Sequence, residues 1–209
     1  LYPFFIYLVN IITSFQGSNL INLIVFIQAL LSTYSVYLFF QLCQNFFSQK
    51  ISLISSALFS IIPINLYACG QISSINLQIF LTLLFLNFLI LLTKRQTNKN
   101  IFIFSIISGL LFLIRGEFML IFPLIIIFIF LNKKTKFINL IKILIIVSLI
   151  ISPYLIRNYI HFNEIFIVKS LGYNLWKGNN VLSTVEGHEE SFEKIEFENL
   201  NSQILNIEK

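Results

Sequence analysis

A train of apolar runs constrains this chain more than any other feature. Runs of 15 to 22 residues, separated by short polar clusters, recur from the start to about residue 156. Only bilayer-like surroundings reward such a pattern, because a run of about 20 apolar residues matches a hydrocarbon core of roughly 30 Å. Six runs can be placed, at about 20–41, 51–68, 73–92, 100–114, 117–131 and 138–156, after an apolar opening stretch from Leu1 to Phe15. With 57% hydrophobic and 11% charged residues, a water-soluble globular enzyme is excluded. Only helices satisfy their own backbone inside lipid at these lengths, so the expected fold class is all-α, a polytopic transmembrane helix bundle. The sole Met is Met119, and Leu1 lies in an apolar run with no basic residues ahead of it, so the sequence reads as a fragment.

Basic residues set the orientation. Lys94, Arg95 and Lys99 lie between the third and fourth runs, and Lys133, Lys134 and Lys136 between the fifth and sixth. Both loops are expected on the cytoplasmic side. Counting crossings from them puts the loop with Lys50 inside as well. The opening stretch, the turn at 69–73, the turn Arg115 to Glu117 and everything after Pro153 then fall outside. The expected organisation is a transmembrane bundle over 1–156 and an extracytoplasmic segment over 157–209.

The fourth and fifth runs, about 15 residues each, reach only roughly 22 Å as helices. Their shared tip, Ile114-Arg115-Gly116-Glu117, is therefore expected below the outer surface or at a water-filled cavity. An ionisable pair at that depth marks a functional site; the plain alternative is that Arg115 and Glu117 pair and snorkel at an ordinary loop. Beyond Pro153 the chain turns aromatic and then acidic, with Glu186, Glu189, Glu190, Glu193, Glu196 and Glu198 close together. Phe197, Leu200, Ile204 and Ile207 form one stripe of an amphipathic helix in that tail.

Little soluble chemistry is visible. Cys43 and Cys69 fall at opposite ends of their spans, so no disulfide between them is expected. His161 and His188 have no second His or Cys at ligand spacing, so no metal site is assigned. No Walker loop, Rossmann glycine pattern or nucleophile elbow occurs. No cofactor and no nucleic-acid partner are called for, and whether a divalent metal is needed stays open.

The uncommon residues gather after the sixth run. Pro153 is expected to end or kink the helix, and Arg157 offers a fork of donors suited to phosphate. Asn158 and Tyr159 follow, then Tyr173, Trp176, Asn179 and Asn180 among glycines. Aromatic rings of this kind stack on sugar faces or sit at an interface, and Asn side chains hydrogen-bond hydroxyls. An aromatic belt with a capped loop explains the same residues.

Four stretches together resemble the polytopic GT-C glycosyltransferases, in particular the bacterial branch related to dolichyl-phosphate-mannose protein mannosyltransferases and lipid A aminoarabinose transferases. Leu1-Tyr2-Pro3 is similar to the family's "PPLYP", and Pro63 near a helix end to its proline before the next external turn. Gly109-Leu110-Leu111-Phe112-Leu113-Ile114-Arg115-Gly116-Glu117 is similar to "GLalLtRpe". The stretch from Pro153 to Asn180 is similar to "PWtiRNy…G.nlw.GNn", and is the most specific of the four.

The resemblance implies a multi-pass protein of a bacterial inner membrane with its tail outside. It implies transfer of a sugar, usually with inversion, from a polyprenyl-phosphate carrier to a glycan, lipid or protein acceptor at the external face. Arg115 and Arg157 each match a family arginine and are the candidates for holding the carrier phosphate. Glu117, Asn158, Tyr159, Tyr173, Trp176, Asn179 and Asn180 are the candidates for contacting sugar or acceptor. The family's base is typically an Asp just before the "PLYP" stretch; this chain has no Asp, so the catalytic carboxylate is expected upstream of Leu1 and the fragment alone is expected to be inactive. A transporter or flippase of lipid-linked sugars is the main rival, but it predicts ionisable residues near mid-span, whereas Lys142 lies within a turn or so of the cytoplasmic end of its run. A polymerase or ligase would need larger external loops, and an inert membrane protein is the third alternative.

Overall fold

The computed structural model describes residues 1–131 and 136–167. They form eight helices in one compact unit, Leu1–Ile167: α1 (Tyr2–Thr13), α2 (Ser18–Gln44), α3 (Gln49–Ser60), α4 (Pro63–Gly70), α5 (Ile75–Lys94), α6 (Asn98–Ile114), α7 (Phe118–Leu131) and α8 (Phe137–Phe162). No strand occurs among the described residues. By length and apolar character α2, α5 and α8 can each cross a membrane, and α3 with α4 forms a fourth, bent element. The protein is an integral membrane protein with an all-helical fold.

The run expected as one helix over 51–68 is broken. α3 and α4 meet at 50° across Ile61 and Ile62. Pro63 is the cause: its ring disfavours helical backbone at the preceding residue, and Ile62 sits at φ −60°, ψ 123°. Pro63 then starts α4, where a missing N–H costs nothing.

Pro153 behaves in the opposite way. α8 does not stop there but runs on to Phe162. A proline inside a helix orphans the carbonyl four residues back, here that of Leu149. The Ser152 hydroxyl donates to that carbonyl at 3.0 Å. With the acceptor satisfied, lipid-side backbone at this level loses no hydrogen bond and the helix continues. It ends at Asn163, which takes the left-handed conformation (φ 54°, ψ 24°) and donates its N–H to the Tyr159 carbonyl at 2.9 Å.

The core lies among α5, α6, α7 and α8. Phe85 stacks on Phe104 at 4.9 Å, and Phe118 meets Phe85 and Phe112 edge-on at 5.0 and 5.4 Å. Small residues let α6 approach α8 closely: Ser105 and Ser108 are fully buried, their hydroxyls turned back to the carbonyls of Ile101 and Phe104. Gly109 is the tightest point, since a Cβ there would lie 2.7 Å from Ile150 Cγ2.

That contact also sets direction. Near the start of α6, Asn98 accepts from Lys142, and just before it Gln96 accepts from Asn139; eleven residues on from Asn98, Gly109 meets Ile150. α6 and α8 therefore run parallel, joined by the return of α7, and emerge at the same end of the bundle.

Candidate functional site

The described cations segregate to two ends. Lys50, Lys94, Arg95, Lys99, Lys136 and Lys142 lie at or near the end where α2 and α5 finish and α3, α6 and α8 begin. Lys94 Nζ donates to Asn45 Oδ1 at 2.6 Å across that end. Arg115 and Arg157 lie at the other, one residue past the end of α6 and five before the end of α8. Ile114 and Leu155, just before each, both pack on the shared core, so the parallel register brings the two arginines out at one end.

The Arg115 turn is pinned from below. Phe118 is buried in the aromatic cluster, and its N–H donates to the Arg115 carbonyl at 3.2 Å. Arg115 is half-buried, and its Nε donates to Gln78 Oε1 in the first turn of α5 at 2.9 Å. Glu117 is exposed and is not paired with Arg115. A neutral amide thus orients the guanidinium without spending its charge, and the two terminal nitrogens have no hydrogen-bond partner among the described residues. That is the half of the fork that grips a phosphate or carboxylate bidentately.

Arg157 is exposed, with Nη1 3.3 Å from Asn158 Oδ1. Asn158 is only 1% exposed, and its Nδ2 donates to the Phe166 carbonyl at 2.8 Å. It ties the chain after Asn163 back onto α8, with the Phe162 and Phe166 rings 5.8 Å apart. Tyr159, the next residue, projects outward. Tyr173, Trp176, Asn179 and Asn180 lie outside the described residues, as do Lys133 and Lys134.

Several residues at this end carried no sequence expectation. Gln78 is one. Others form a buried polar knot: Gln28 donates to the Tyr2 hydroxyl at 3.1 Å and to the Ser73 carbonyl at 3.0 Å, while Asn76 donates to the Gln28 carbonyl at 2.7 Å and to Cys69 Sγ at 3.5 Å. The Leu1 nitrogen donates to the Leu113 carbonyl at 3.1 Å. This knot fixes the start of α1, the eleventh residue of α2, the end of α4 and the start of α5 beside the Arg115 turn. Isolated amides inside apolar runs were the available signal, since each must find a partner when buried in lipid or protein. Cys69 is at this end, and Cys43 at the other near Lys94. Among the described residues no group of three His, Cys, Asp or Glu comes together to hold a metal.

Chemically, this end offers two orienting amides, two arginines and an exposed carboxylate on a rigid helical frame, an arrangement able to bind an anionic group. No curated protein and no solved structure matches the chain. A family match covers residues 2–156, under the description Dolichyl-phosphate-mannose-protein mannosyltransferase. That span takes in α1 to α7 and most of α8, including the Arg115 turn and stopping one residue before Arg157. The chain belongs to the dolichyl-phosphate-mannose-protein mannosyltransferase family, a family of membrane glycosyltransferases of the GT-C type.

Proposed function

We infer that the chain serves a glycosyltransferase that moves a sugar from a polyprenyl-phosphate carrier to a glycan, lipid or protein acceptor at the external face of a bacterial inner membrane. The observation that supports it best is the parallel register of α6 and α8, with Arg115 and Arg157 at the end opposite the lysines. By the positive-inside rule the lysine end is cytoplasmic and the arginine end external.

In this reading the acceptor hydroxyl attacks the anomeric carbon while a carboxylate takes its proton. The bond from that carbon to the carrier's phosphate oxygen breaks, and the phosphate leaves with the electron pair. Arg115 and Arg157 stabilise the developing charge, which is worth most where fixed donors already point at it. Gln78 and Asn158 are positioning residues for them. Glu117, Tyr159 and, in the tail, Tyr173, Trp176, Asn179 and Asn180 contact sugar or acceptor. The 209 residues contain no Asp, so an aspartate base is not among them.

Binding of a polyprenyl phosphate to the purified chain in detergent tests this. A charge-assisted pair is worth about 1.5–3 kcal/mol, so Arg115→Ala and Arg157→Ala are each expected to weaken binding about ten- to a hundredfold. Binding unchanged in both variants overturns the assignment.

A further inference from the structure

The lysine end carries its own site. Between α2 and α5 at that end lies a cleft of about 470 Å³ lined with polar groups, among them Tyr34, Gln41, Gln44, Asn45 and Asn87, with Lys94. Beside it lies a second cleft of about 680 Å³ whose walls are largely apolar, including Phe39, Phe46, Phe47, Leu86 and Phe128 of α7. The two share Asn45, Ile90 and Lys94. A polar compartment and an apolar one thus meet at a single cation.

The polar compartment has unspent hydrogen-bonding capacity. Asn87 gives both amide hydrogens to the carbonyls of Leu38 and Leu83, at 3.0 and 2.9 Å, which leaves its oxygen as an acceptor. The Gln44 amide and the Tyr34 hydroxyl have no hydrogen-bond partner among the described residues. Lys94 is exposed and its only recorded hydrogen bond goes to a neutral acceptor, Asn45 Oδ1, so its charge is not neutralised by a described carboxylate. The described acids, Glu117 and Glu164, both lie at the far end of the bundle.

We propose that this paired cleft binds an anionic glycerophospholipid with a hydroxylated headgroup, of the phosphatidylglycerol type, from the leaflet on the lysine side. The phosphate sits at Lys94, the headgroup hydroxyls meet the side chain of Gln44 and the oxygen of Asn87, and an acyl chain fills the apolar cleft beneath Phe46 and Phe47. Charge complementarity selects this occupant over a zwitterionic lipid, and the apolar half selects it over a free phosphate. The site stands apart from the arginine end and does not depend on the function assigned there.

Titration of the full chain in detergent with phosphatidylglycerol and with phosphatidylcholine, read by native mass spectrometry, tests the proposal. Phosphatidylglycerol is expected to bind more tightly, and Lys94→Ala to weaken it about fivefold, the contribution of one basic residue at an anionic lipid surface. Lys94→Arg is expected to restore most of the binding, which separates a lost charge from a misfolded chain. Lys99→Ala, on the same end but outside both clefts, is expected to change it by less than about twofold. Equal binding of the two lipids, an equal loss in Lys99→Ala, or displacement of the lipid by inorganic phosphate alone would each overturn it.

Discussion

The two ends of this bundle carry charge of the same sign and treat it differently. At one end the described lysines sit mainly on exposed positions, and their contacts are single hydrogen bonds to surface amides, Lys94 to Asn45 and Lys142 to Asn98. At the other, Arg115 is half-buried between α5 and α6, and Arg157 stands next to an Asn with 1% exposure. Apart from Lys94, which borders the paired cleft, flexible ammonium groups scattered over helix ends suit the holding of a membrane orientation, which needs charge but no geometry. Guanidinium groups oriented by neutral amides, half-buried Gln78 and buried Asn158, suit a ligand, which needs both.

The largest effect expected from breaking this contrast is all or none. In a background with Cys43→Ala and Cys69→Ala, cysteines placed at 115, 157 and 99 report the sides directly. A membrane-impermeant maleimide is expected to modify positions 115 and 157 from one face of intact vesicles and position 99 only from the other. Labelling of 115 and 157 from opposite faces contradicts the parallel register and, with it, a common phosphate site.

Next in size is the contact that creates the register. A Cβ at Gly109 would stand 2.7 and 2.8 Å from two atoms of Ile150, and Cβ of Ile150 is one of them, so no rotamer change relieves it. Gly109→Ala therefore pushes α6 and α8 apart and is expected to cost about 1–3 kcal/mol, the usual range for overpacking. Thermal unfolding in detergent measures it. Because the two residues touch, Gly109→Ala with Ile150→Ala is expected to cost less than the sum of the single changes. Strict additivity would mean that the helices do not meet there.

How much of this was legible beforehand differs between lengths and joints. Hydrophobic periodicity located α2, α5, α6, α7 and α8 to within a few residues at most ends, because a bilayer-matched run has few ways to be anything but a helix. It does not register what two prolines do. At Pro63 the vacated Phe59 carbonyl is satisfied, by Asn65 Nδ2 at 3.0 Å, yet Ile62 turns extended and the helix breaks. Pro153 has Ser152 to fill the vacated hydrogen bond, and α8 gains nine residues beyond it. A satisfied carbonyl is common to both, so the difference lies in the residue before the proline, extended at Ile62 and helical at Ser152, which apolar periodicity does not register.

The site divides in the same way. Arg115 and Arg157 stood out as cations past the ends of apolar runs. Gln78 did not, because its value lies in reaching a residue 37 positions away, and sequence spacing carries no such information. The Gln28 knot is similar: its partners come from α1, α2, α4 and α5, and only the fold brings them together.

The smallest effect sharpens the contrast from the other side. Lys94 makes a short hydrogen bond to Asn45, and distance alone would rank it with the bond between Arg115 and Gln78. Exposure says otherwise. An exposed lysine gives up water and side-chain freedom to make that contact, and surface changes of this kind usually stay within about 0.5 kcal/mol. Lys94→Gln is therefore expected to leave the unfolding temperature within about 1 to 2 °C of the parent. Gln78→Leu leaves the half-buried Arg115 Nε without its partner and is expected to cost about 1 kcal/mol or more. If Lys94→Gln proved as costly as Gln78→Leu, the lysine end would be as firmly built as the arginine end, and the division of labour drawn from their burial would fail.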